Sequence, residues 1–156
     1  MEKFVEYLDT AEKKLQIADH MTHVTFPLIK DKRLLLKILS EISFVVLNCI
    51  NAILQYEYMY KRIQLTRDAQ TNLRIFKEKC APHHKLTEQE VVSMMNILDL
   101  AEKHKKSPFE FIKEGKVVIL SENLKHETVT IEKIKWFLIN CKSIVKKIRE
   151  RIKGRP

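Results

Sequence analysis

LLKILSEISFVVLNCINAILQYEYMYKRI, residues 35–63, decides the fold. Leu35, Leu39, Ile42, Val46, Cys49, Ile53, Tyr56, Tyr60 and Ile63 follow spacings of four and three, which puts them on one side of a single helix. At about 1.5 Å per residue such a helix is roughly 40 Å long. Ile38, Val45, Ala52 and Met59 form a second line beside the first, and Leu47, Ile50 and Leu54 widen it. An arc this broad predicts a central helix covered on more than one side. Asp31 is its predicted N-cap. After Ile63 the phase slips to a new stripe, Thr66, Ala69, Leu73, Phe76 and Cys80. Residues 31–80 therefore read as one helix with a rotated face or as two with a break near Arg67–Asn72.

The flanking segments supply the cover. Phe4, Leu8, Ala11, Leu15 and Ala18 predict a helix over residues 2–22, followed by a connector from Val24 to Leu28, because Pro27 disfavours helix in the residue before it. Cys80–Lys85, with Pro82, reads as a loop. Thr87 and Glu90 have capping-box spacing, and Val91, Met94, Met95, Leu98 and Ala101 make the inner face of a helix over 88–105. Ser107-Pro108-Phe109-Glu110 reads as a further helix start ending before Gly115. Val117–Leu120 and Thr128–Ile131 are β-branched runs that admit a small β-hairpin insert near 116–130. Thr130 caps a last helix, 131–152, with Ile134, Leu138, Cys141, Val145, Ile148 and Ile152 as its stripe. The expected fold is mostly all-α: one domain over 1–156, an antiparallel helical bundle around one long central helix.

Composition agrees. The chain has 156 residues, 45% hydrophobic, with 2 Gly and 4 Pro, too few for a turn-rich β fold. Three cysteines, two on apolar stripes, predict reduced thiols. The charged amino terminus does not read as a signal peptide, and Ile42–Leu54 reads as too short and too polar for a membrane span. These features predict a cytoplasmic protein.

Net charge is +9 and uneven. Residues 1–27 carry three basic and five acidic groups, whereas the basic C-terminal end, 142–156, carries seven basic groups and one acid. On the last helix, Lys135, Lys142, Lys146, Arg149 and Lys153 fall within an arc of roughly 60° that contains no acid. Lys147 and Arg151 flank the apolar stripe on its other side, and Arg155 continues the charge. Such a ridge suits a polyanion, which binds with counterion release. It holds no aromatic residue, so phosphate or shape recognition is expected rather than base stacking.

Catalytic patterns are missing. No Gly-x-Ser-x-Gly elbow, phosphate-cradling glycine loop or Glu-x-x-His pair occurs. Cys80, His83 and His84 make half a zinc site with no second ligand pair, and His20 and His23 lie near Asp19; surface histidines explain both better than a metal does. Asn48 and Asn51, in the most apolar stretch, are candidates for setting helix register. Tyr56, Tyr58, Tyr60 and Met59 form a collar expected to serve packing.

Size and layout resemble, in architecture, the HEPN class of small all-α domains, several of which are RNases. That class carries an Arg followed four to six residues later by a His; no Arg here has one. The resemblance thus implies no nuclease chemistry.

The function expected is that of a non-enzymatic binding protein without cofactor or metal. It would engage RNA or a ribonucleoprotein through Lys135, Lys142, Lys146, Lys147, Arg149, Arg151 and Lys153. The competing expectation is a helical interaction protein that holds a partner or itself, as a homodimer through surplus apolar surface, without nucleic-acid binding and with its charge serving solubility.

Overall fold

A computed structural model describes residues 2–121 and 123–153. The first helix, α1 (Lys3–His20), buries Phe4, Leu8, Ala11 and Ala18. The expected connector after it is helical instead: a π turn, Met21–Thr25, leads into α2 (Phe26–Ile29). Pro27 lacks an N–H and crowds the carbonyl one turn back; a widened turn at that point accommodates both defects. Lys30, at φ 59°, then closes the segment by donating its N–H to the Phe26 carbonyl at 2.8 Å.

The central helix, α3, runs Leu34–Met59. Asp31 lies in the turn before it, where its carboxylate accepts the Arg33 N–H at 3.0 Å, so the predicted cap sits ahead of the helix rather than at its first residue. Two bonds end α3: Arg62 N–H to the Glu57 carbonyl and Lys61 N–H to the Tyr58 carbonyl, both 2.9 Å, with Lys61 left-handed at φ 60°. This is a Schellman closure with lysine where glycine is usual. Residues 31–80 therefore form two helices, and Ile63 reaches the core from a loop. The second, α4 (Ala69–Ile75), is capped by Asp68, which accepts the Thr71 N–H at 3.3 Å. A π turn, Phe76–Cys80, and a 3₁₀ turn, Ala81–His84, occupy the stretch expected to be a loop.

Helix α5 (Glu88–Lys106) opens with the expected capping box. Thr87 Oγ1 accepts the Glu90 N–H at 3.0 Å and Glu90 Oε1 accepts the Thr87 N–H at 2.9 Å. The helix expected at Ser107-Pro108 is a strand, β1 (Phe109–Lys113), paired antiparallel with β2 (Lys116–Leu120). Ser107 begins no helix; it is the C-cap of α5, its N–H donating to the His104 carbonyl, and its hydroxyl lies 2.8 Å from the Leu120 carbonyl, tying the start of β1 to the end of β2. Glu114 at φ 54° and Gly115 at φ 76° make the two-residue turn whose twist suits a hairpin. β3 (His126–Val129) adds to β2, giving a three-stranded sheet in the order β1-β2-β3 where a two-stranded insert was expected. Cross-strand pairing within the hairpin, as of Phe111 with Val118, outweighs the helix-start signal. α6 (Ile131–Ile152) follows, with Thr130 Oγ1 accepting the Lys133 N–H at 3.1 Å.

The fold is mostly α with a small β insert, as expected. α3 packs against α1, α5 and α6, and α1 also packs on α6. One contiguous core joins Leu8, Leu39, Ile42, Ile53, Ile97, Leu138 and Ile148 with Val117, Ile119 and Val129 of the sheet. By length and composition alone α3 is long and apolar enough to cross a membrane, contrary to the reading of Ile42–Leu54; here much of that apolar surface is covered by the other helices. Asn48 donates to the Phe44 carbonyl of its own helix at 2.8 Å and Asn51 is exposed, so neither bonds across helices.

Candidate functional site

The basic ridge of α6 faces acids that the sequence alone could not place beside it. Along the α1–α6 seam, Lys153 Nζ lies 2.9 Å from Asp9, Arg149 pairs with Glu12, and Lys142 Nζ lies 2.7 Å from Asp19. The acid-rich amino-terminal helix thus runs antiparallel to the basic carboxyl-terminal one as an ion-pair ladder. Lys147 pairs with Glu90 at 2.7 Å. Of the seven residues expected to bind nucleic acid, Lys135, Lys146 and Arg151 make no ion pair among the described residues, and all three are exposed. The acid-free arc is a correct reading of α6 taken alone; α1 balances much of it. Arg155 lies outside the described residues.

Glu90 serves two joints at once. Besides capping α5 it accepts from Ser143 Oγ at 2.6 Å and from Lys147 Nζ, which pins the start of α5 to α6. Burial works to raise its pKa, but the bonds from Lys147 and Ser143 outweigh that and hold the carboxyl below its usual value.

A second concentration of polar groups sits where α3 ends. Glu57, 1% exposed, accepts from Arg62 Nε at 2.8 Å and lies 3.1 Å from His83 Nδ1. Burial again pushes its pKa up, and the Arg62 and His83 bonds override it, leaving the carboxyl below its ordinary value. The Schellman closure carries Arg62 back over Glu57, so main chain and side chain clamp the same residue. The Arg62 guanidinium also lies over the Tyr60 and Tyr56 rings, at 5.1 and 5.6 Å. Tyr56 meets Phe4 and His84 edge-on, so Tyr56 and Tyr60 of the collar serve packing and platform roles.

The 3₁₀ turn presents His83 outward and buries His84. Lys85, at φ 59°, closes that turn as Lys61 closes α3: its N–H donates to the Pro82 carbonyl at 3.1 Å, and the Leu86 N–H to the Ala81 carbonyl at 3.2 Å. His84 is 1% exposed, and neither ring nitrogen has a hydrogen-bonding partner among the described residues. Burial lowers its pKa to about 4, with the neighbouring Glu57 charge opposing and Arg151, His83 and Arg62 adding to the fall. Between this turn and the last turns of α6 lies a cavity of about 240 Å³, lined by His83, His84, Lys85, Lys147, Glu150 and Arg151. On its other flank His83 borders a second cavity with Glu57, Arg62, Glu78, Lys79 and Pro82.

On sequence alone Lys147 and Arg151 sit across the apolar stripe from the ridge, as part of the nucleic-acid-binding set, and His83 and His84 read as surface histidines in preference to half of a metal site; His84 is instead buried. No grouping of three or more His, Cys, Asp or Glu side chains suited to a metal occurs among the described residues. His23 lies 3.6 Å from Asp19, and His20 is exposed. Burial, with the Glu57 charge, pushes the Cys80 thiol up to about 12; burial does the same for Cys141 and raises Cys49, so all three thiols stay protonated and inert. No local pattern joins residues 83–85 to the end of α6, so the cavity had no signal in the sequence.

These features define a helical bundle with a cationic cavity at one end. No protein-family model matches the chain, and no curated protein is significantly similar to it.

Proposed function

We propose that this is a non-enzymatic binding protein that engages RNA through phosphate contacts centred on the C-terminal end of α6. The supporting observation is convergence: Lys147 and Arg151 meet His83, His84 and Lys85 around one cavity whose lining holds, among the described residues, a single carboxylate, Glu150. Three cations around a buried imidazole, one of them (Lys147) already held by Glu90, suit phosphate oxygens, which accept charge-assisted bonds from several directions. Lys142, Arg149 and Lys153 have their charge balanced by α1 and contribute less. Lys146 and the more distant Lys135 add unpaired charge on the outer face of α6.

Titration of a structured RNA by fluorescence anisotropy tests the reading. For about three neutralised phosphates, raising salt from about 50 to about 200 mM should weaken binding about 40-fold. Absence of binding at low salt, or affinity indifferent to salt, would overturn it.

A second reading, a helical interaction protein, draws on Val92, Trp136 and Ile139, which are 51%, 41% and 66% exposed on α5 and α6. Sedimentation of the wild type against Ile139→Asp tests it: self-association lost in the variant supports this reading, and a monomer at every concentration counts against the homodimer.

A further inference from the structure

The cavity between the 3₁₀ turn and α6 has the features of a site for one phosphate group rather than a patch of general surface charge. His84 is the first reason. A neutral imidazole carries one donor and one acceptor, and buried polar groups are nearly always paired. Here both ring nitrogens lack a hydrogen-bonding partner among the described residues, in a residue that lines a polar cavity. The lining charges are the second reason. Among the described residues the lining holds Lys85, Lys147 and Arg151 against one acid, Glu150; Lys147 is paired with Glu90 outside the lining, and Lys85 and Arg151 make no ion pair. A cluster of that sign repels a metal ion and attracts an anion. Geometry is the third. About 240 Å³ is below the usual range for drug-sized ligands, but it admits a tetrahedral oxyanion with a small attached group. The donors come from two elements, Lys85 from the end of the 3₁₀ turn and Lys147 and Arg151 from α6.

We propose that this cavity binds a phosphate monoester, held by Lys85, Lys147 and Arg151, with His84 at its base. The inference deepens the RNA reading and rests on it only for the source of the phosphate, an RNA end as opposed to a small metabolite.

The test uses the full chain and three probes: inorganic phosphate, a short 5′-phosphorylated RNA, and the same RNA with a 5′-hydroxyl. Nitrogen-15 spectra of the histidine rings are the readout. Millimolar inorganic phosphate should shift the His84 ring signals saturably and raise its titration midpoint, each variant being compared with its own phosphate-free spectrum because Glu57, Arg62, His83, Lys85, Lys147, Glu150 and Arg151 all face or border the ring. Lys85→Gly, which keeps the left-handed turn, and Arg151→Gln should together weaken phosphate binding about tenfold or more, as expected for losing charge-assisted bonds. Lys142→Gln, on the ladder, should leave it unchanged. No saturable shift, or an equal shift in the Lys85→Gly/Arg151→Gln double variant, overturns the inference. Preference for the 5′-phosphorylated RNA supports it with RNA as the source. Equal binding of both RNAs without competition from phosphate overturns it while leaving the RNA reading intact. Phosphate binding without binding of either RNA upholds the cavity and removes that reading.

Discussion

Mild acid should cost this protein stability through His84. The ring is sealed at 1% exposure and its pKa falls from the usual 6.5 to about 4 because burial disfavours the charged form. Between those values the unfolded chain holds a proton on His84 that the folded chain does not. Stability is therefore fully present above the unfolded pKa and is lost as pH falls through this window. Each pH unit within it amounts to about 1.4 kcal/mol, so the whole window is worth about 3 kcal/mol, and the step from about pH 7 to about pH 5 costs about 2 kcal/mol. Glu57 and Glu90 act in the same direction only lower: their pKa values are held down, so their stabilisation is present above the ordinary carboxyl value and is lost below it. The assay is urea unfolding followed by circular dichroism at both pH values, on wild type and on His84→Leu, which fills the same space without a titrating ring. The wild type should lose about 2 kcal/mol more than the variant on acidification. Equal losses in the two proteins would refute the argument, because they would show that the buried imidazole takes up its proton as readily folded as unfolded.

Three further outcomes follow from the same structure. Lys142→Gln, Arg149→Gln and Lys153→Gln together should lower unfolding free energy by only about 1–2 kcal/mol, since exposed ion pairs are each worth about 1 kcal/mol or less, and the loss should shrink as salt rises. Glu57→Gln leaves Arg62 and His83 without their carboxylate and should cost about 2 kcal/mol in chemical denaturation, because that acceptor is buried although Arg62 is partly solvated. Glu114→Asn should raise the thermal midpoint by the equivalent of about 0.5–1 kcal/mol, because it relieves a left-handed glutamate in a turn that favours Asn-Gly; an unchanged or lower midpoint would count against the turn.

Periodicity and capping chemistry are local, and there the sequence was readable by itself. The α3 stripe, the Thr87–Glu90 capping box, the Thr130 cap and the inner face of α6 could all be read from residues within a turn or two of one another. The buried stripe also implied that other helices must cover it. What depended on distant partners was not readable. β1 carries a helix-start signal, yet its pairing with β2 prevails; the acid-free arc of α6 meets Asp9, Glu12 and Asp19 only once the termini are packed antiparallel. The cavity is the sharpest case. His84 and Arg151 are far apart in the chain, and only the closure of a 3₁₀ turn against the end of α6 sets them on one wall. Hydrophobic spacing thus determined where the long helices α1, α3, α5 and α6 form and which face α6 buries, because a helical stripe is set by residues a turn apart. Where charge is cancelled and where it is concentrated was decided by tertiary packing, because electrostatic energy depends on distance in space and not on separation along the chain.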